Sequence, residues 1–173
     1  ENTIMGYQAG YDMTSGSENT LIGSGAGANV TTGTKNVGVG DGALVTTTTV
    51  VGLVAVGYDA LAANTDGAYN TAVGYQALDA NTTADFNTAF GYNALGAITG
   101  GGAEACAENT AIGYNALSSA TTSTTSVAVG CSALASNNAN NNVAVGKDAL
   151  LNSTVSGNTA IGKGAGNNVT NGG

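Results

Sequence analysis

A few stretches of this 173-residue chain hold residue types that could do chemistry. Gly157-Asn158-Thr159-Ala160-Ile161-Gly162-Lys163 has the glycines and lysine of a phosphate-binding loop. It has Gly164 where that loop needs Ser or Thr, and no helix is predicted to follow and offer its N-terminus. Gly23-Ser24-Gly25-Ala26-Gly27 is glycine-rich but lacks the dinucleotide-binding spacing. Asp41, Asp59, Asp66, Asp79, Asp85 and Asp148 do not form the regular array of calcium-binding β-rolls. A solvated, repulsive surface is the plain reading, with adventitious Ca²⁺ as the alternative. The chain has no His, so metal ligation and acid–base catalysis have few candidate groups. Cys106 and Cys131 stand in unlike contexts, so spacing defines no disulfide; two small, buried or partly buried side chains is the simpler reading. These residues predict no catalytic, cofactor or metal site.

Tyrosines and threonines offer a surface instead. Tyr7, Tyr58, Tyr75, Tyr92 and Tyr114 each follow a recurring glycine. Tyr58, Tyr75, Tyr92 and Tyr114 are the candidate binding stripe, with ring faces that could receive sugars or protein. Packing over a bend is the alternative. A recurring Thr could form the rows that an ice-binding face needs, although its neighbours vary and sit in a turn. Asn29, Asn81, Asn152 and Asn168 lie in Asn-x-Ser/Thr sequons, which turn-rich composition also produces by chance.

The elements that must position these residues come from one repeated phrase, Asn70-Thr71-Ala72-Val73-Gly74-Tyr75-Gln76-Ala77-Leu78. Its glycine recurs as Gly6, Gly23, Gly40, Gly57, Gly74, Gly91, Gly113, Gly130, Gly146 and Gly162. The steps are 17 residues except for one of 22 and a final two of 16. Counting from this glycine, position −1 is always apolar, −3 is Thr or Val, and −2 is Ala in seven copies. Position +3 is always Ala, +4 is Leu in seven copies and Gly in three, and +8 is Thr in nine. A fixed period of this length marks a solenoid, in which each unit is completed by the next. β-Branched residues and period-2 alternation predict a strand ending at the glycine. The Ala face is expected to fill a narrow lumen, and the Thr/Val/Ile face to need a cover from outside the chain. Ala-Leu is expected to start a second short strand, before Thr/Gly-rich turns. Gly57, Gly74 and Gly91, with Asn70 and Asn87 at −4, are the expected structural ladder, because stacked Asn side chains can hydrogen-bond along a rod.

The expected fold is therefore an all-β parallel solenoid of about ten coils of 16–17 residues, one domain over 1–173, with a five-residue insertion within about 96–108. Charged residues make up only 8% and the net charge is −8, which argues against nucleic acid and anionic membrane surfaces. No apolar run approaches the ~20 residues that span a bilayer. The chain has neither an initiator Met nor a signal peptide, so a processed chain or a segment of something longer is expected. Each coil offers two or three large apolar side chains against about 17 ordered residues, so a lone chain is marginal and identical chains are the expected partners. From Gly162 through the end to Gly6 of a following copy is again 17 residues. The three +4 glycines, Gly166, Gly10 and Gly27, would then lie in neighbouring coils. End-to-end stacking, as a filament or within a longer fibre, is the corresponding expectation.

Ser126-Val127-Ala128-Val129-Gly130 and Asn142-Val143-Ala144-Val145-Gly146 resemble the head repeats of YadA-like trimeric autotransporter adhesins. The fuller phrase with its Thr-rich turns is also similar to repeats of phage tail-fibre proteins. The resemblance covers essentially the whole chain, with longer repeats than the adhesin pattern. It implies a left-handed β-roll with three chains around one axis, displayed outside the cell or on a virion. The implied role is a non-enzymatic adhesive or structural fibre, with a host-surface glycan or protein as possible target.

Overall fold

The computed structural model describes residues 1–100 and 107–170. Among them are ten three-residue strands and no helix: β1 Thr3–Met5, β2 Thr20–Ile22, β3 Val37–Val39, β4 Val54–Val56, β5 Thr71–Val73, β6 Thr88–Phe90, β7 Thr110–Ile112, β8 Val127–Val129, β9 Val143–Val145 and β10 Thr159–Ile161. They form one parallel sheet in chain order, and each strand pairs position for position with the next repeat. The fold is a β-solenoid. Residues 101–106, with Cys106 and most of the expected insertion, lie outside the described residues; Thr88 still pairs with Thr110 across it.

The recurring glycines stand in one column because the backbone leaves no room for anything larger. At Gly74 φ is +143°, and an added Cβ would lie 2.3 Å from the carbonyl oxygen of Gly91. Gly57 meets Gly74 in the same way, again at 2.3 Å. Main-chain bonds cross beside the column, with Gly74 N–H donating to Val56 O and Gly91 N–H to Val73 O, both at 2.8 Å.

Position −2 points inward. Ala55, Ala72, Ala89, Ala111, Ala128 and Ala144 are fully buried. The residues at −3 and −1 face out and are half-buried or exposed along the whole sheet. The second strand expected from Ala-Leu does not form. That segment is a run of turns, with +2 and +4 in the left-handed region: Gln76 and Leu78 both have φ of 52°. This twist folds the +4 leucine back into the lumen, where Leu44, Leu61, Leu78, Leu95, Leu117, Leu134 and Leu150 are buried. Burial of a large apolar side chain, worth roughly 1.5–3 kcal/mol, outweighs the roughly 1–2 kcal/mol that the left-handed conformation costs.

The lumen also explains two of the three +4 glycines. Where −2 is large (Ile4, Leu21), +4 is Gly10 or Gly27; where −2 is Ala or Gly, as at Gly38, +4 is Leu. A Cβ on Gly27 would lie 2.7 Å from Leu21 Cδ2, so positions −2 and +4 share room for one large side chain. At Gly166 the −2 residue is Ala160, and the exchange does not apply. Leu21→Ala is expected to destabilise by about 2–5 kcal/mol. Adding Gly27→Leu restores the common pattern and should recover most of that loss in urea titrations. An unrelieved double variant would count against volume exchange.

Asn19, Asn36 and Asn70 at −4 are buried and hydrogen-bond in two directions. Asn19 Oδ1 accepts from Asn36 N–H at 3.0 Å, Asn36 Oδ1 from Leu53 N–H at 2.9 Å and Asn70 Oδ1 from Asn87 N–H at 2.8 Å. Their Nδ2 groups donate across the lumen to Gly33 O at 2.8 Å, Val50 O at 2.8 Å and Ala84 O at 2.6 Å. This ladder runs mainly from side chain to main chain. It satisfies buried peptide groups that the short strands cannot reach.

Candidate binding surface

The tyrosines follow directly from the glycine column. Extended geometry up to the glycine puts +1 on the outward side, beside −1 and −3. Tyr58, Tyr75, Tyr92 and Tyr114 stack as one ladder, with ring centroids 5.0, 5.3 and 5.2 Å apart and planes within 14°. Each is about half exposed, between 45% and 54%. Tyr7 stands apart from it, separated by Ser24 and Asp41 at the same repeat position.

Stacking changes what the ladder can do. The faces of Tyr75 and Tyr92 lie against their neighbours, so a sugar has no room to lie flat on them. The edges, the hydroxyls and the outer faces of Tyr58 and Tyr114 remain. The Asp59 carboxylate beside Tyr58, and then Tyr75, raise the Tyr58 phenol above its ordinary value, so it stays protonated. The ladder is therefore a ridged stripe of ring edges and hydroxyls. A second pair, Tyr69 and Phe86, stacks at 5.4 Å and 9° on coils five and six. Sequence reading missed it, although both residues stand at position −5 and 17 apart.

Beside the ladder runs the outward sheet face. Its −1 column includes Met5, Val56, Val73, Phe90, Ile112 and Ile161, and its −3 column Val37, Val54, Val127 and Val143. Phe90 is 56% exposed and Ile112 41%. With the tyrosines this makes a continuous apolar strip over ten strands, which is uncommon on a monomeric surface.

The other sequence candidates take structural places. Thr14, Thr31 and Thr65 donate their hydroxyls to the carbonyls of Thr31, Thr48 and Thr82 one coil on, at 3.1–3.2 Å. Their donors are spent along the rod rather than held out in an ice-matching row. Gly157 to Lys163 contains β10, and turns follow it. Asn81 is buried and donates to Asn64 Oδ1 at 2.7 Å, so that sequon is closed in the folded chain. Cys131 is half-buried and unbridged, next above Tyr114 in the +1 column. Among the described residues no three His, Cys, Asp or Glu side chains converge as a metal site. No helix there is long and apolar enough to cross a membrane.

Sequence reading also missed a second polar column at +7: Thr47, Asn64, Asn81, Asn137 and Ser153, all buried. Small polar residues at +7 in five copies were the available signal, diluted by Met, Val, Ile and Ala in the rest.

Burial raises the carboxyl of Asp79 above its ordinary value of 3.8. A raised folded-state value means that its contribution is fully present below 3.8 and is lost as pH rises through the raised value. Asp79→Asn is therefore expected to stabilise the fold at neutral pH by less than about 1 kcal/mol, given partial solvation. The gain should vanish in acid, below the ordinary carboxylate range. Thermal melts of both chains across that range check it.

Comparison with family models, with curated proteins and with solved structures gives no match.

Proposed function

We propose that the chain is a non-enzymatic structural segment of an extracellular fibre, in which identical chains pack as a trimer through their outward sheet faces. The observation that carries this reading is the uncovered apolar strip on all ten strands, in a chain whose lumen holds mainly alanines, small polar residues and one or two large apolar side chains per coil. An apolar sheet face of this length needs a cover, and a copy of the same chain repeats at the same rise. The mechanism is mechanical: continuous ladders and interchain packing make a stiff spacer. Coils stacking end to end would extend it. The likeness of the repeats to adhesin heads and phage tail fibres supports display on a cell surface or a virion. It also supports the alternative of a phage tail-fibre shaft or receptor-binding module.

The test is the mass in solution. Light scattering should give three times the chain mass of 16.6 kDa. A stable monomer at micromolar concentration would overturn the assembly, and with it the fibre.

A further inference from the structure

The turns at +8 to +10 are closed differently along the rod. In the first, second and fourth coils three successive amides converge on one carbonyl. Thr31, Thr32 and Gly33 N–H donate to Thr48 O at 2.9, 3.3 and 3.2 Å, and Thr65, Asp66 and Gly67 N–H to Thr82 O at 3.0, 2.9 and 3.2 Å. Coils eight and nine, which start at Gly130 and Gly146, are one residue shorter. There the side chains replace the carbonyl: Asn138 Oδ1 accepts from Thr121 N–H at 2.6 Å and Asn140 Oδ1 from Thr124 N–H at 3.0 Å.

A cavity of about 320 Å³ lies here, lined by Ser136, Asn138, Ala139, Asn140, Ser153, Thr154 and Ser156. Ser153 is fully buried, and its Oγ has no hydrogen-bond partner among the described residues. Asn137, between two lining residues, is equally buried and its Nδ2 is unpartnered. Asn142 Nδ2 is also left over, because Asn158 Nδ2 donates to Val155 O at 2.9 Å where the repeat would bring Asn142. Of these three orphaned residues Ser153 lines the cavity, and its hydroxyl calls for a partner from outside the chain.

We propose that this corner binds a neutral sugar, one pyranose ring at a time. Apart from Ala139, the lining is hydroxyls and amides without a charged side chain, the chemistry that matches groups which both donate and accept. Asn138 and Asn140 are held by the main-chain N–H groups on their Oδ1 atoms, which fixes each amide before binding and leaves its Nδ2 as a donor. The cavity is at the lower bound of ligand pockets, about 300 Å³, and exceeds the roughly 30 Å³ that a single water occupies in the liquid. The site lies half a coil along the chain from the strand, so covering the sheet face leaves it open. The inference goes beyond the fibre reading, and its readout does not depend on the number of chains.

The test is saturation-transfer NMR on the whole chain with glucose, galactose, mannose and N-acetylglucosamine. At least one should bind with a millimolar Kd. Ser153→Ala and Asn138→Ala should each weaken it about tenfold, the worth of one hydrogen bond. Ser153→Ala should fold at least as well as the parent, because it deletes an unpartnered hydroxyl. Inserting one Thr after Asn138 restores the 17-residue turn and should abolish binding. Three results would each overturn the proposal: no transfer to any of the four sugars, equal binding by folded variants, or a sugar-soaked crystal with only ordered water in the corner.

Discussion

Gly74→Ala is expected to part the stack between the fifth and sixth coils. The new Cβ would lie 2.3 Å from Gly91 O and 2.6 Å from Gly91 C, and both are backbone atoms with no rotamer to yield. The φ of +143° adds strain of roughly 1–3 kcal/mol for any residue with a side chain. To relieve the contact the coils must separate, which stretches the Gly91 N–H to Val73 O bond at 2.8 Å and the Thr71 N–H to Asn87 O bond at 2.9 Å. Each is worth about 1 kcal/mol. The sum reaches about 4 kcal/mol, in the range where single substitutions are exceptional. A solenoid is held by nearest-neighbour interfaces, so a break here divides the rod into two weaker halves. Urea unfolding should show a lower midpoint and loss of a single transition. Gly25→Asn is the matched control. Gly25 also has positive φ, at +65°, but a Cβ there meets nothing within 4 Å, and Asn93 and Asn115 hold the same repeat position at 52° and 54°. It should change stability by no more than about 0.5 kcal/mol. Equal behaviour of the two variants would mean that the glycine column is not a close approach.

The contrast between these two glycines shows how much the residue order carries. A strict period is enough to align Gly57, Gly74 and Gly91, to turn Ala72 inward and Val73 outward, and to set Asn70 beside Asn87. Those features rest on translation, and translation is what a repeat encodes. Features that rest on rotation were less legible. Leu78 reads as a strand residue by type, yet it sits in the left-handed region because the lumen rewards its burial more than the backbone resists. Gly10 and Gly27 read as signs of abutting ends, whereas the packing of Ile4 and Leu21 supplies a nearer cause. The tyrosine column was visible as a column, but not that Tyr75 and Tyr92 would spend their faces on each other. The corner at Ser153 was hidden for a simpler reason. A step of 16 in place of 17 looks like noise until the amides that lose their carbonyl are counted.

Charging the outward face should dissolve the assembly while sparing the coil. Val56 and Val73 occupy adjacent rungs of the −1 column, half-buried in the isolated chain. Replacing both with Lys removes no lumen contact, so the chain itself loses only strand preference, about 1 kcal/mol or less per site. In a trimer closed over this face, six ammonium groups would be brought together without partners. Desolvating each costs several kcal/mol, and their mutual repulsion adds to it. Light scattering should therefore fall from three chains to one, with circular dichroism still showing β-structure. Thr32→Lys with Thr49→Lys makes the same change in charge at the same rung spacing, on exposed turn positions away from the strand. That pair should leave the mass unchanged. A trimer that survives lysine at Val56 and Val73 would move the interface off the sheet. Loss of the trimer in the turn variant would place it at the Thr-rich corner instead.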